Sequence, residues 1–241
     1  MEPRIIFEDE DLAVIDKPAG MIVNDAATVD PLALTVQRWH GERIKIYDLR
    51  LKNEEFYRKS GIVHRLDKDT SGVMVLAKNE QAYYYLKQQF VERKTQKRYT
   101  ALVHNNHFEA EEGVISAPID RHPKDFGKRM VIPGGRAAVT EWKIIKRFPG
   151  QQKEGLALLE LTPLTGRTHQ IRVHLKHIGH PIVSDPLYIG RKTYRQDVLW
   201  CPRLFLHASY LRLMHPAEKD YREYESPLPA VLEQTLEFLI H

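Results

Sequence analysis

One cysteine, Cys201, is all the thiol chemistry the chain contains. A lone cysteine excludes an intramolecular disulfide and a cysteine-based zinc site, and it fits a reducing compartment. Long apolar runs are missing as well, and none approaches the roughly 18 residues that a membrane-spanning helix requires. The opening Met1-Glu2-Pro3-Arg4-Ile5-Ile6-Phe7-Glu8-Asp9 meets acids at once and lacks the apolar centre of a signal peptide. A dominant charge of one sign is also absent. The 36 Lys and Arg residues stand against 32 Asp and Glu, for a net +4. The placement of the bases, rather than their total, therefore decides what the surface attracts. There is no internal repeat, low-complexity tract or linker-like stretch. What remains is ordinary globular composition, 42% hydrophobic and 28% charged over 241 residues, ample for a real core. The expectation is a soluble, cytoplasmic, single-domain protein spanning 1–241.

Short β-type runs recur along this chain. Leu12-Ala13-Val14-Ile15-Asp16 reads as a strand halted by Lys17-Pro18-Ala19-Gly20. Val73 to Ala77 is an almost continuous apolar run, as in a strand covered on both faces. Lys97 to Val103, Ala137 to Ile145 and Leu156 to Leu161 read as further strands, the last two separated by Phe148-Pro149-Gly150. Glu80 to Arg93 is helical in composition. After Gly166, Ile171, Leu175 and Ile178 form one helical stripe, while His169, Arg172 and Lys176 form a second, basic one. Gly179 and Pro181 then supply a stop. Pro229 to Ile240 reads as a closing amphipathic helix through Val231, Leu232, Leu236 and Leu239. Regular βα alternation is missing, so the spacing predicts an α+β fold built on a mixed, largely antiparallel β-sheet with flanking helices.

Chemistry concentrates in Gly61-Ile62-Val63-His64-Arg65-Leu66-Asp67-Lys68-Asp69-Thr70-Ser71-Gly72. A carboxylate at Asp67 can serve as nucleophile or base, and the guanidinium of Arg65 can occupy or displace something planar. The bland alternatives are a turn-capping Asp67 and a salt bridge from Arg65 to Asp67 or Asp69. Two basic segments, Lys45 to Lys59 and Arg121 to Arg136, read as loops suited either to phosphate contact or to plain solvation. His169, His174, His177 and His180 cluster in sequence, yet no cysteine joins them and no carboxylate lies between His169 and His180. Converging ligands are what zinc needs, so they read as packing, helix-end or ligand-contacting residues.

Three segments together resemble the RluA-type RNA pseudouridine synthases. They are Lys17-Pro18-Ala19-Gly20-Met21, then His64-Arg65-Leu66-Asp67 through Ser71-Gly72-Val73, then Thr165-Gly166-Arg167-Thr168-His169-Gln170-Ile171-Arg172-Val173-His174 with Gly179-His180-Pro181-Ile182 and Asp185. A weaker echo is Arg203-Leu204-Phe205-Leu206-His207-Ala208. The resemblance covers about residues 5 to 220 and implies a pseudouridine synthase-like catalytic domain. It further implies an isomerase acting on uridine in tRNA or ribosomal RNA. By its match, Asp67 is the catalytic aspartate, Arg172 its ion-pair partner and Tyr99 the active-site tyrosine that stacks on the base. Arg65 is implied to fill the space of the flipped nucleotide, while Arg167 and His169 either touch phosphate or hold their loop. The isomerisation breaks N1–C1′ and joins C5 to C1′ with no redox change, so neither cofactor nor metal is demanded. RNA is the implied partner; no obligate protein partner is implied, and a monomer is expected. The first catalytic strand begins near residue 5, so a separate N-terminal RNA-binding domain is not expected.

Two other readings compete with that one. An RNA-binding protein on the same scaffold, with catalysis lost, is opposed by the intact Asp67, Tyr99 and Arg172. A glycosidic hydrolase would want a second carboxylate across the scissile bond, and Asp69 is the nearest acid in sequence.

Overall fold

The computed structural model describes residues 2–44, 55–105, 107–148 and 155–240. The chain divides into two compact units, Met1–Gln96 with Ala208–Pro227, and Lys97–His207 with Leu228–His241. Elements are numbered along the chain.

The first unit carries strands β1 (Arg4–Glu8), β2 (Leu12–Lys17) and β3 (Ser71–Ala77) and helices α1 (Val36–Arg43), α2 (Glu55–Lys59) and α3 (Glu80–Val91). It also holds most of β10 (Leu206–Met214) and all of β11 (Tyr221–Glu225). The strand order is β1-β2-β3-β10, with β11 paired to β10. β2 runs antiparallel to both β1 and β3, with Val14 opposite Val75. All seven residues of β3 are buried, as its unbroken apolar run predicts. Pro18 stops β2, because proline cannot donate to the ladder. Asn79 starts α3 by accepting the amide of Ala82 at 2.9 Å, and Glu80 places an acid in the first turn, where the helix dipole favours it. Thr35 caps α1 in the same way through the amide of Arg38.

The second unit carries β4 (Gln96–His104, all but its first residue), β5 (Glu112–Ser116), β6 (Ile119–Arg121), β7 (Arg129–Val131), β8 (Val139–Phe148) and β9 (Leu156–Pro163). Its helices are α4 (Gln170–His177), α5 (Arg191–Asp197) and α6 (Ala230–Phe238). The order β4-β9-β8-β5 is antiparallel at every pairing, and β6 and β7 form a separate antiparallel ribbon. Its core gathers Leu102, Leu159 and Leu161 from the sheet with Leu175, Phe205 and Leu232. Val231 and Leu236 of α6 and Leu239 at its C-cap pack on that core, as their helical spacing predicts.

The α+β reading therefore holds, with largely antiparallel strand pairing within each unit. Two readings need correction. Lys45 to Lys59 is not all loop: Glu55–Lys59 forms α2, while 45–54 lie outside the described residues. Arg121 to Arg136 is loop only in part: Arg129-Met130-Val131 pair back onto Ile119-Asp120-Arg121 as a short β-ribbon, and residues 122–128 form the loop that joins its strands. The turn at Pro149-Gly150 also lies outside the described residues.

Candidate active site

Asp67 sits on the approach to β3, at a turn closed by the main chain: the amide of Thr70 donates to its carbonyl at 3.2 Å. Its side chain is half-buried, while Arg65, two residues earlier, is exposed. Among the described residues Arg65 enters no ion pair, so the salt bridge to Asp67 or Asp69 weighed from the sequence does not form. Between them Leu66 is buried and anchors the segment. Upstream, the amide of Val75 donates to Nε2 of His64 at 3.0 Å, and that ring stacks on Phe90 at 4.4 Å between centroids. Glycine is required at Gly72, where φ is +120° and a Cβ would lie 2.2 Å from the carbonyl oxygen of Ala208.

A residue whose role the sequence did not disclose holds this turn. Lys17, at the end of β2, is fully buried. Its Nζ donates to the carbonyl oxygens of Pro18 and Met21 at 2.8 Å and of Lys68 at 3.0 Å. Three ammonium protons thus meet three carbonyls, the kind of satisfaction a buried charge needs. The amide of Gly20 donates to the same Lys68 carbonyl at 2.8 Å. The Lys17-Pro18-Ala19-Gly20-Met21 turn therefore grips the residue immediately after Asp67.

The second unit supplies the other motif. Gln170, the first residue of α4, ties its approach with a single amide. Its Oε1 accepts from the Thr165 hydroxyl at 2.7 Å and the Arg167 amide at 3.0 Å, and its Nε2 donates to the Val139 carbonyl and the Thr140 hydroxyl. Arg167 is half-exposed, with Nε donating to the carbonyl of Ala137 at 3.1 Å. Within the basic stripe of α4, Arg172 is buried, His169 half-buried and Lys176 exposed. All three of its members converge on one turn, Asp185 to Tyr188. Arg172, 3% exposed, forks onto the fully buried Asp185 with Nε and Nη2 each at 2.8 Å. This bidentate geometry fixes the guanidinium plane. Lys176 donates to the carbonyl of Tyr188, and His169 reaches the Tyr188 hydroxyl at 2.8 Å. His169 adopts φ 57°, the left-handed conformation, where it opens α4.

Tyr99 lies on β4 opposite Leu161, half-buried and packed against the core of its unit. The histidines of this region are tied into the fold. His174 is buried, with Nδ1 at the Thr140 hydroxyl and Nε2 at the Ala117 carbonyl. His180 stacks on Phe108 at 3.6 Å. Burial pushes the pKa of both rings down. Among the described residues the one group able to converge on a cation is Asp9, Asp11 and His215. Its atoms are already committed: Asp9 accepts from the amides of Asp11 and Leu12 and pairs with His215 at 2.7 Å, and Asp11 accepts from Asn79. The sequence motifs thus place Arg65 and Asp67 in the first unit and Tyr99, Arg167, His169 and Arg172 in the second. Lys17, Gln170, Asp185 and Tyr188 support them, and no sequence spacing singles these out for those roles.

Comparison with known proteins agrees with these motifs. A family model described as RNA pseudouridylate synthase matches residues 11–177. An uncharacterized RNA pseudouridine synthase of Bacillus subtilis is 39% identical over 99% of this chain and 73% of its own length. A ribosomal large subunit pseudouridine synthase D of Pseudomonas aeruginosa is 39% identical over 95% of this chain and 69% of its own. The solved human RNA pseudouridylate synthase domain containing 1 superposes with a TM-score of 0.72 at 25% identity, over 99% of this chain and 95% of that one. No helix among the described residues is long and apolar enough to cross a membrane. With the family match covering most of the chain and carrying both the Asp67 and the Arg172 segments, the chain belongs to the RNA pseudouridylate synthase family, and it is an isomerase.

Proposed function

We propose that the protein isomerises uridine to pseudouridine within tRNA or ribosomal RNA, with Asp67 as the ionised group that begins the reaction. The glycosidic N1–C1′ bond breaks, the uracil turns, C5 joins C1′, and the C5 proton leaves as N1 gains one. Atoms and electrons balance within the nucleotide, so the step calls for neither cofactor nor metal. The observation that carries this reading is the Asp67 turn itself: a half-buried carboxylate, clamped from behind by Lys17, with an exposed guanidinium two residues away.

A uridine in a stem or stacked loop must leave the stack, at a cost of a few kcal/mol. Arg65 fills the vacated space with a planar cation. Tyr99 offers a ring face to the extruded base, and Arg172 supplies the cation of the catalytic set. Arg167 and His169 hold the loop before α4 and meet substrate there. Choice of target falls to the basic ribbon β6–β7 and to the 45–59 segment.

The test is product analysis of uridine-labelled RNA. The unmodified protein should yield pseudouridine, and Asp67→Asn should yield none; binding alone, or release of free uracil, defeats the proposal. Arg65→Ala is expected to slow turnover on folded RNA more than on an unstructured oligonucleotide. Equal losses on the two substrates remove Arg65 from the flipping step. Tyr99→Phe should retain RNA binding with much-reduced product, and a normal rate makes its hydroxyl dispensable.

A further inference from the structure

One side chain joins the catalytic arginine to the basic ribbon. Tyr188 is 5% exposed. Its ring lies under the guanidinium of Arg172, 5.1 Å from carbon to centroid, within cation–π range. Its amide donates to Oδ1 of Asp185 at 3.1 Å, beside the Leu187 amide at 2.9 Å and Nη2 of Arg172 at 2.8 Å. At the far end of the same ring, the hydroxyl accepts from the amide of Arg129 at 2.9 Å and meets Nδ1 of His169 at 2.8 Å. Arg129 opens β7, and the ribbon it belongs to exposes Arg121 and Lys124.

We propose that Tyr188 is a positioning residue that sets the β6–β7 ribbon and the Arg172 guanidinium from opposite ends of one rigid ring. RNA backbone held by the ribbon is then held in register with the Arg172 guanidinium. A phenol suits such a link, because two torsions hold it and its polar tip has partners in the interior. The proposal deepens the reading of the function above and rests on it, since it takes Arg172 as catalytic and the ribbon as RNA-binding.

The two ends of the ring can be separated by substitution. Tyr188→Phe keeps the ring beneath Arg172 and the amide on Asp185, and it removes the hydroxyl with its links to Arg129 and His169. It should raise KM for RNA roughly tenfold, the worth of a lost pair of hydrogen bonds, while kcat stays within about twofold. The Arg129 amide should then exchange with solvent much faster. Tyr188→Leu removes the ring also, and kcat should fall further. An unchanged KM with an unchanged Arg129 exchange rate in Tyr188→Phe overturns the proposal. So does a fast-exchanging Arg129 amide in the unmodified protein, a measurement that needs no variant to fold. Asp185→Asn separates the underlying reading: undiminished kcat there removes Arg172 from catalysis, whereas the ribbon's tie to Tyr188 is judged by the exchange data alone.

Discussion

At the scale of the residue, Lys17 carries the sharpest consequence. A buried ammonium whose three protons meet three carbonyls is replaceable only by another such donor. Lys17→Met matches the length and removes the donors, leaving the Pro18 and Met21 carbonyls orphaned. Unsatisfied buried acceptors cost about 1–3 kcal/mol each, so denaturant unfolding should show a loss of roughly 3 kcal/mol. Turnover should fall by more than the folded fraction does, because the Lys68 carbonyl beside Asp67 loses its anchor. A variant as stable as the parent would mean that water or a shifted backbone replaces the ammonium. This residue also shows where sequence reading stops. The motif around Asp67 is contiguous, so its turn and exposed arginine are legible as a string. Lys17 reaches Lys68 across 51 positions, and Arg172 reaches Asp185 across 13. No periodicity reports such pairs. Tyr188 is harder still, since a tyrosine three residues past a buried aspartate reads as ordinary core.

Elements obey simpler rules, and the chain is most legible there. The apolar run of β3 maps directly onto burial, and the 3.6-residue stripe of α4 marks the helix near its true bounds, although Gln170, Arg172 and His174 are buried beside the stripe. The ribbon β6–β7 escapes such a reading because its strands are three residues each and alternate no clear apolar face. Two expectations belong at this scale. Gly72→Ala in β3 should abolish cooperative folding or lower the melting temperature severely. The new methyl would sit 2.2 Å from one backbone atom of Ala208 and 2.6 Å from another, in a strand that cannot move aside. A soluble, fully active alanine variant would contradict the φ of +120° at that position.

The second concerns His40, which ties α1 to β3 by donating from Nε2 to the Ala77 carbonyl at 2.9 Å. Burial holds its pKa down to about 4, from an ordinary 6.5. Its Nδ1 has no hydrogen-bond partner among the described residues, so a second proton there would be stranded. The unfolded chain takes up that proton below about pH 6.5, and the folded one only below about pH 4. Stability is therefore full above pH 6.5 and declines as pH falls through that interval, by roughly 3 kcal/mol from this group. His40→Gln keeps a donor without the titration, and its stability profile should be flatter between those pH values. An identical slope would place the acid sensitivity elsewhere.

The whole molecule poses the question of how a nearly balanced chain holds a polyanion. A net charge of +4 spread over 241 residues supplies little attraction, so binding must come from local groups. On the ribbon Arg121 and Lys124 are exposed, whereas Lys128 already pairs with Asp125 at 3.3 Å. Each phosphate contact releases counterions, and the slope of log affinity against log salt falls by about one per contact removed. Replacing Arg121 and Lys124 together by glutamine should therefore reduce that slope by about two. It should also weaken binding similarly for cognate and unrelated RNA, since phosphates carry no sequence. Lys128→Gln should change it less, because part of that charge is already neutralised by its neighbour. Filter binding across a salt series separates these outcomes. An unaltered slope in the double variant would show that the ribbon does not touch the backbone, and the electrostatic hold on RNA would then have to lie with other bases of the chain.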